Sequence, residues 1–258
     1  WGSDMYEAQE LLSRLDDHKW AVLIVCAFAM IGNYIFFIEA FRVARRQKIV
    51  TIPIFCTMFW FAHDLSFVYR FDNWFNEYQH WYVELFWLAL VLTVTFEVVY
   101  LTQILQYGRQ ELLPDATTAQ FTALVLAGIA GAIICWEAVK LVFDDPLYAG
   151  SFGIANMSYP LMGVALAVRR RSMAGQTPMI WVGYLILVAC WGSANIIWFG
   201  DPFNSLQWIA LHSACFVGGL GLLYASIRWP GPVVTEPAAA VGERAAPAQR
   251  TPVYSGGS

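Results

Sequence analysis

Long runs of apolar residues with almost no charges constrain this chain more than any other feature. Seven runs approach or exceed the roughly 20 residues that a helix needs to cross the hydrocarbon core of a bilayer. They cover residues 20–43, 49–70, 81–106, 119–143, 150–168, 177–199 and 203–228. Charged residues make up only 13% of the chain, about half the share in a soluble domain. The pattern predicts an all-α integral membrane protein, a bundle of seven transmembrane helices.

The short connections between these runs differ in charge. Residues 44–48 contain two arginines and a lysine, and residues 169–171 are three arginines. The connections that alternate with them are acidic or nearly neutral. Cytoplasmic loops are enriched in Lys and Arg. We therefore predict that the N-terminus lies outside the cytoplasm, that the C-terminus lies inside, and that the protein is a multi-pass component of the cell membrane.

The composition divides the chain into three parts. Residues 1–19 are predicted to be an extracytoplasmic segment, in which Leu11, Leu12 and Leu15 share one face of a short amphipathic surface helix. Residues 20–229 form the transmembrane domain. Residues 230–258 are rich in Pro, Ala and Gly, which predicts a disordered cytoplasmic tail.

Several classes of function find no support in the sequence. The net charge of -4 gives no reason to expect a nucleic-acid partner. The five cysteines lie within apolar runs without metal-ligand spacing, and no phosphate-binding motif is present. The last predicted span lacks a lysine that could carry retinal. We expect no metal and no cofactor, and the expected partners are membrane lipids and a lipophilic small molecule. The sequence leaves the oligomeric state open.

An acidic residue, Asp64, lies near the middle of the second predicted span. An ionisable group at this depth is costly and usually faces the interior of the bundle. Helical spacing puts Trp60 and Phe67 on the same face, so the carboxyl group is expected among aromatic side chains. Burial favours its neutral form, which makes Asp64 a candidate proton donor. A structural Asp bonded to a neighbouring helix is the alternative.

Other polar residues at depth are candidates for the same interior. Glu97 has Tyr100 on its face, although it could be a structural residue near the cytoplasmic end. Asn195 has Trp191 on its face and could equally join two helices. His63 and His212 are lone histidines, for which a satisfied interior position is an alternative to a functional role. The spacing of Glu137 and Lys140 predicts a structural ion pair.

The order of several short features resembles the transmembrane terpene cyclases of fungal meroterpenoid and indole-diterpene pathways and their bacterial relatives. The resemblance extends over most of the seven predicted spans. Its features are Asn33-Tyr34, Trp60 with Asp64, Phe67-Val68-Tyr69, Gln106-Tyr107-Gly108-Arg109, and Arg169-Arg170-Arg171 followed by Gly175-Gln176.

The resemblance implies a reaction. In that family a carboxylic acid in the second helix protonates a terminal epoxide or alkene of a prenylated substrate, and the polyene cyclises through carbocations without a metal. Asp64 matches that acid, with Asp in place of the usual Glu and His63 in place of an aromatic residue. The family's second acid in the last helix corresponds to Gly221, so either another group such as Glu97 or His212 serves in its place, or the reaction is a different one.

Under the hypothesis of a cyclase, we predict the residues that bind the substrate from their depth and their helix faces. They are Trp60, His63, Phe67, Tyr69, Tyr100, Trp191, Asn195 and His212, with Asp64 and Glu97 as catalytic groups. The alternative from another class is a seven-helix transporter or sensor whose deep carboxylates bind a cation or a small ligand without changing it chemically. A structural subunit of a larger membrane complex is a third possibility.

Overall fold

The computed structural model describes residues 5–231, and within them the fold is entirely helical. The α-helices are α1 Ala8–Asp17, α2 Lys19–Gln47, α3 Ile54–Tyr69, α4 Trp81–Leu112, α5 Thr118–Phe143, α6 Ala149–Arg170, α7 Pro178–Ala194 and α8 Leu206–Arg228. Two π-helical segments, Asn73–Tyr78 and Asn195–Phe199, precede α4 and continue α7. The predicted tail falls almost wholly outside the described residues.

Six helices within residues 5–231 are long and apolar enough to cross a membrane: α2, α4, α5, α6, α8 and α7 with its π-helical continuation. They are consistent with a multi-pass membrane protein. The second predicted span differs in extent, because α3 has only 16 residues and a length of about 24 Å. The residue before a proline is disfavoured in helical conformation, and Pro53 directly precedes α3. The seventh crossing and the orientation remain predictions.

The predicted amphipathic helix is present as α1, but it is not simply a surface helix. Leu11, Leu12 and Leu15 are all buried and belong to the same hydrophobic cluster as side chains of the bundle. Their clustering on one face gives α1 an apolar stripe that must be covered. Helix α1 therefore packs against one end of the bundle, where its leucines share a hydrophobic cluster with Phe199 and Phe203.

The closest helix pairing in the bundle is between α2 and α7. Gly32 and Gly183 face each other across it: a Cβ atom at Gly183 would lie 2.7 Å from the carbonyl oxygen of Gly32 and 3.0 Å from Cα of Phe36. Small residues allow such close approach of backbones in membrane proteins. By contrast, Ile134, Leu141 and other apolar side chains of α5 are exposed, as expected for a surface that faces lipid.

A buried polar network ties the N-terminal segment to the loop between α5 and α6. The Tyr6 hydroxyl donates a hydrogen bond to Oδ1 of Asp145 at 2.6 Å and accepts one from the Leu147 amide at 3.0 Å. Oδ2 of Asp145 accepts a hydrogen bond from the Ser151 amide at 2.7 Å. Burial, followed by the nearby Asp145 charge, raises the pKa of Tyr6 well above its usual value, so its hydroxyl stays a donor.

The predicted ion pair between Glu137 and Lys140 is wrong. Glu137 pairs with Arg70 at 3.1 Å and accepts a hydrogen bond from Ser66 at 2.8 Å. Lys140 instead donates to the carbonyl oxygen of Asp145. Glu137 therefore bonds to α3 and the residue that follows it, and Lys140 bonds to the backbone just after α5, instead of to each other.

We expect Tyr6→Phe to lower the free energy of unfolding by about 1–3 kcal/mol, because a buried carboxylate and a buried amide lose a partner. The midpoint of thermal unfolding in detergent would measure the loss. Tyr224→Phe is the matched control, since Tyr224 is 60% exposed. Equal midpoints for the two variants would contradict this role of Tyr6.

Candidate functional site

A small cavity lies inside the bundle, and both predicted acids line it. Asp64 reaches it from α3 and Glu97 from α4. The remaining lining residues come mainly from α2, α6 and α7: Asn33, Phe36, Phe37, Trp60, Thr93, Phe152, Ala155, Asn156, Tyr184 and Leu187. Two carboxyl groups, two amides and two hydroxyl-bearing side chains thus line one aromatic chamber.

The carboxyl group of Asp64 is paired with the residue beside it in sequence. Oδ1 of Asp64 lies 2.5 Å from Nδ1 of His63, and both side chains are buried. A short contact of this kind requires one proton between the two groups. Asp64 is therefore held in position by a titratable partner while it faces the cavity.

Glu97 has a different environment. Its side chain is fully buried, and neither of its carboxyl oxygens has a hydrogen-bond partner among the residues that the structure describes. Thr93, one helical turn earlier, lines the same cavity. A buried polar group without a partner is costly, so Glu97 is a group whose surroundings a bound ligand or water would complete.

Aromatic rings make up much of the cavity wall. The Trp60 indole is fixed by a hydrogen bond from Nε1 to the Ala155 carbonyl oxygen at 3.0 Å. Its ring lies 6.3 Å from that of Phe37 in a stacked arrangement and 6.1 Å from that of Phe36 edge to face. Ring faces carry negative potential and attract cations. The chamber can therefore favour a positive charge that forms within it.

The space is small, at about 30 Å³, which is room for one or a few water molecules. A second crevice of about 160 Å³ lies beside it, with an almost wholly apolar lining that includes Cys26, Ala27, Met30, Leu85, Phe86 and Trp191. Phe152 lines the first space, and its ring lies 4.7 Å from that of Trp191 and 5.4 Å from that of Phe86. A thin aromatic wall thus separates the two spaces.

Only some of the predicted binding residues lie at the cavity or beside it. Trp60 lines the cavity, His63 contacts Asp64, and Trp191 lines the adjoining crevice. Phe67 is buried elsewhere, stacked on Trp74 at 4.1 Å. Tyr69 is 60% exposed, and its hydroxyl donates to Glu137.

The other three predicted binding residues also lie away from the cavity lining. The Tyr100 hydroxyl donates to the carbonyl oxygen of Phe37 at 2.5 Å. Asn195 begins the π-helical segment and is fully buried. His212 packs against Trp208, with ring centroids 5.4 Å apart. The side chains of Asn195 and His212 make no hydrogen bonds within residues 5–231.

Several lining residues were not identified as site residues from the sequence. The sequence places Asn33 deep in the first predicted span, but nothing in that span shows that the amide lines the same cavity as Asp64. Asn156 and Phe152 lie one turn apart in α6, so a polar and an aromatic side chain share one face of this helix. That spacing is the sequence signal that could have identified them as cavity residues. Tyr184 donates its hydroxyl to the Asn156 carbonyl oxygen at 3.0 Å.

Residues 5–231 contain no cluster of three or more His, Cys, Asp and Glu side chains arranged to hold a metal ion. Comparison of the chain with models of protein families, with curated proteins and with solved structures gives no match. The resemblance to the transmembrane terpene cyclases therefore remains a hypothesis, and the site has to be interpreted from its own chemistry.

Proposed function

We propose that the protein is a membrane-embedded terpene cyclase or isomerase. It would protonate an alkene or epoxide of a lipophilic, prenylated substrate, and the resulting carbocation would cyclise without a metal. The observation that carries this proposal is the placement of two buried carboxyl groups, Asp64 and Glu97, in one aromatic cavity. The proposal includes seven crossings of the cell membrane, with the N-terminus outside the cytoplasm.

The proposed reaction begins at Asp64. The O–H bond of its carboxyl group breaks as a C–H bond forms at the substrate alkene, or as the proton adds to the epoxide oxygen and a C–O bond opens. The cation left behind forms new C–C bonds along the polyene. Loss of a C–H proton to the Glu97 carboxylate restores a double bond and ends the reaction. The product is an isomer of the substrate.

The wall of the cavity suits such an intermediate. The faces of Trp60, Phe36 and Phe37 would stabilise the migrating charge through their quadrupoles, and the exclusion of water would protect it from capture. The hydrocarbon part of the substrate needs more space than the cavity offers. The apolar crevice behind Phe86 and Trp191 is the nearest space of suitable chemistry.

The position of Gly221 bears on which residue accepts the proton at the end of the proposed reaction, because Gly221 corresponds to the second acid of the terpene cyclases. Gly221 lies on an exposed part of α8, and no neighbouring side chain or helix in residues 5–231 comes within 4 Å of where its Cβ would be. An acid at this position would point away from the cavity in this fold. Glu97, which does face the cavity, is the residue that we assign to the second carboxyl role.

Membranes that contain the protein, incubated with a farnesylated phenol and separately with its terminal epoxide, provide the direct test. We expect a product of unchanged mass with a shifted retention time and fewer alkene signals. Membranes from cells without the protein are the control. A substrate that is recovered unchanged from a wider series of prenylated compounds would contradict the proposal.

One observation favours a second candidate, a transporter or sensor that binds a proton or small cation. The cavity has room for little more than a water molecule and offers Glu97 oxygens without partners among the described residues. This candidate predicts flux or ligand binding that depends on Asp64 and Glu97 while the ligand stays chemically unchanged.

Glu97→Gln separates the two candidates. For a cyclase we expect turnover to fall by about 10²-fold, because a group that accepts the proton is lost while its shape remains. The measurement is product formed per protein in purified membranes, with Glu84→Gln near the start of the same helix as control. Undiminished cyclisation in Glu97→Gln would contradict the role given to Glu97. Loss of ion flux, with no product from either protein, would favour the transporter.

A further inference from the structure

A series of buried groups leads from Asp64 toward the end of the bundle where α1 lies. Nδ1 of His63 contacts the Asp64 carboxyl group at 2.5 Å, and Nε2 on the opposite side of the ring lies 3.4 Å from the Ser151 hydroxyl. Ser151 is the third residue of α6. The imidazole thus joins a cavity-facing acid on α3 to a hydroxyl at the start of another helix.

The imidazole ring is held tightly in this orientation. The rings of Trp136, Tyr148 and Phe152 surround it, with centroids 4.7, 5.5 and 5.9 Å away. None of these three side chains offers a hydrogen bond to His63. The polar contacts of the ring among the described residues are those to Asp64 and Ser151, and a neutral imidazole has one donor and one acceptor nitrogen for them.

The far end of the series lies beside charged groups. The backbone amide of Ser151 donates to Oδ2 of Asp145 at 2.7 Å. The Ser151 hydroxyl also lies 3.3 Å from the Tyr148 carbonyl oxygen. His63 is fully buried, whereas Ser151 is 8% exposed. Water therefore has closer access to Ser151 than to His63.

We infer that His63 and Ser151 form a proton relay that reloads Asp64 from water after each turnover. This inference deepens the proposed function and rests on it for the role of Asp64 as the acid. His63 does not line the cavity, so it acts through Asp64 as a positioning residue and a proton carrier. The alternative route is direct return of the proton from Glu97 to Asp64 across the cavity.

Each transfer in the relay forms one bond to hydrogen for each that it breaks. Before turnover Asp64 carries its acidic proton on Oδ2, while Oδ1 accepts the hydrogen bond from Nδ1–H of His63. After the Oδ2 proton has passed to the substrate, the N–H bond at Nδ1 of His63 breaks and an O–H bond forms at Oδ1 of Asp64. Nε2 of His63 takes the hydroxyl proton of Ser151, and a water molecule at the end of the bundle supplies a proton to Ser151. The proton that Glu97 took from the cation is released to water. Rotation of the Asp64 carboxyl group and a change of the imidazole tautomer then restore the starting arrangement, and no net proton is consumed.

A test without substrate follows the exchange of the Asp64 carboxyl proton. The infrared C=O stretching band that Asp64→Asn removes identifies the protonated acid, and transfer to D₂O shifts this band as the proton exchanges. We expect Ser151→Ala and His63→Phe to slow the shift by about tenfold, a barrier increase of about 1.4 kcal/mol. His63→Phe keeps a ring of similar shape between Trp136 and Phe152.

Ser66→Ala is the matched control for this exchange. Ser66 is a buried serine at the same end of the bundle, and its hydroxyl contacts Glu137 and Tyr148 but not His63. We expect its exchange rate to equal that of the unaltered protein. Equal rates in Ser151→Ala, His63→Phe and the unaltered protein would overturn the relay, whether or not the protein is a cyclase.

A test with substrate separates reloading from chemistry. With protein in excess over a farnesylated phenol, we expect Ser151→Ala to complete its single turnover at the unaltered rate, because Asp64 begins protonated. With substrate in excess it should slow by about tenfold, as reloading becomes rate-limiting. In D₂O the unaltered protein should add one deuterium per product. Unlabelled product after many turnovers would show that Glu97 returns the proton directly, and would overturn the relay.

Discussion

Replacing Asp64 by Asn is expected to abolish product formation while the protein still accumulates in membranes. The amide has nearly the shape of the carboxyl group but cannot give up a proton of comparable acidity, and general acids contribute about 10²–10⁴-fold to rate. His63 can still hydrogen-bond to the amide oxygen at this position, so the packing of α3 against α6 should persist. The measurement is product formed per unit of purified protein, together with the midpoint of thermal unfolding.

Two further variants sharpen this result. Asp72→Asn makes the same change at an exposed position beyond the end of α3 and should leave turnover unchanged. Asp64→Glu keeps an acid but lengthens its reach by one methylene group, so partial activity is expected. Full activity in Asp64→Asn would rule out Asp64 as the proton donor and would remove the main support for a cyclase.

Replacing Gly183 by Leu is expected to prevent correct assembly of the bundle. A Cβ atom there would lie 2.5 Å from the Phe36 nitrogen and 2.7 Å from the Gly32 carbonyl oxygen. Both neighbours are backbone, so relief requires α2 and α7 to separate. Overpacking of a core costs about 1–3 kcal/mol or more. Phe36 and Phe37 would move with α2, and the cavity wall would be lost with them.

The yield of monodisperse protein and its midpoint of thermal unfolding in detergent would measure this effect. Gly131→Leu is the matched control: Gly131 lies in α5, and no atom of the described residues lies within 4 Å of where its Cβ would be. We expect Gly131→Leu to resemble the unaltered protein. A Gly183→Leu variant that is equally stable and active would show that α2 and α7 are not packed as described.

The sequence identified the helical segments because the bilayer imposes a simple requirement. Each crossing must satisfy its backbone hydrogen bonds internally and present apolar side chains to lipid. The same requirement singled out Asp64 and Glu97, since an acid within such a segment is costly unless it faces the interior. Both acids do line the cavity. The second predicted span began at residue 49, but α3 begins only at Ile54. Pro53 explains the difference, because the residue before a proline is disfavoured in helical conformation.

What the sequence could not determine is how each helix is turned against its neighbours. Helical periodicity fixes the angle between two side chains on one helix, and Trp60 and Asp64 do share the cavity face of α3. Phe67 continues that face toward the end of α3, but Trp74 stacks on it there and closes the space. Tyr69 points outward for a different reason: it follows Asp64 by five residues, which turns it about 140° away from the cavity face of α3.

The sequence by itself thus determined the long apolar helices of residues 5–231 and two acids that have to be buried. Only the tertiary structure decided that these acids meet in one cavity, that Asn33, Phe152 and Asn156 complete it, and that His63 reaches Ser151, which is 88 positions away. The physical reason is that burial costs act on each segment separately and can be recognised locally. Contacts between segments depend on how each helix is rotated about its axis and how closely it approaches its neighbours. These two quantities are set only in the folded bundle, for example by the packing of α2 against α7.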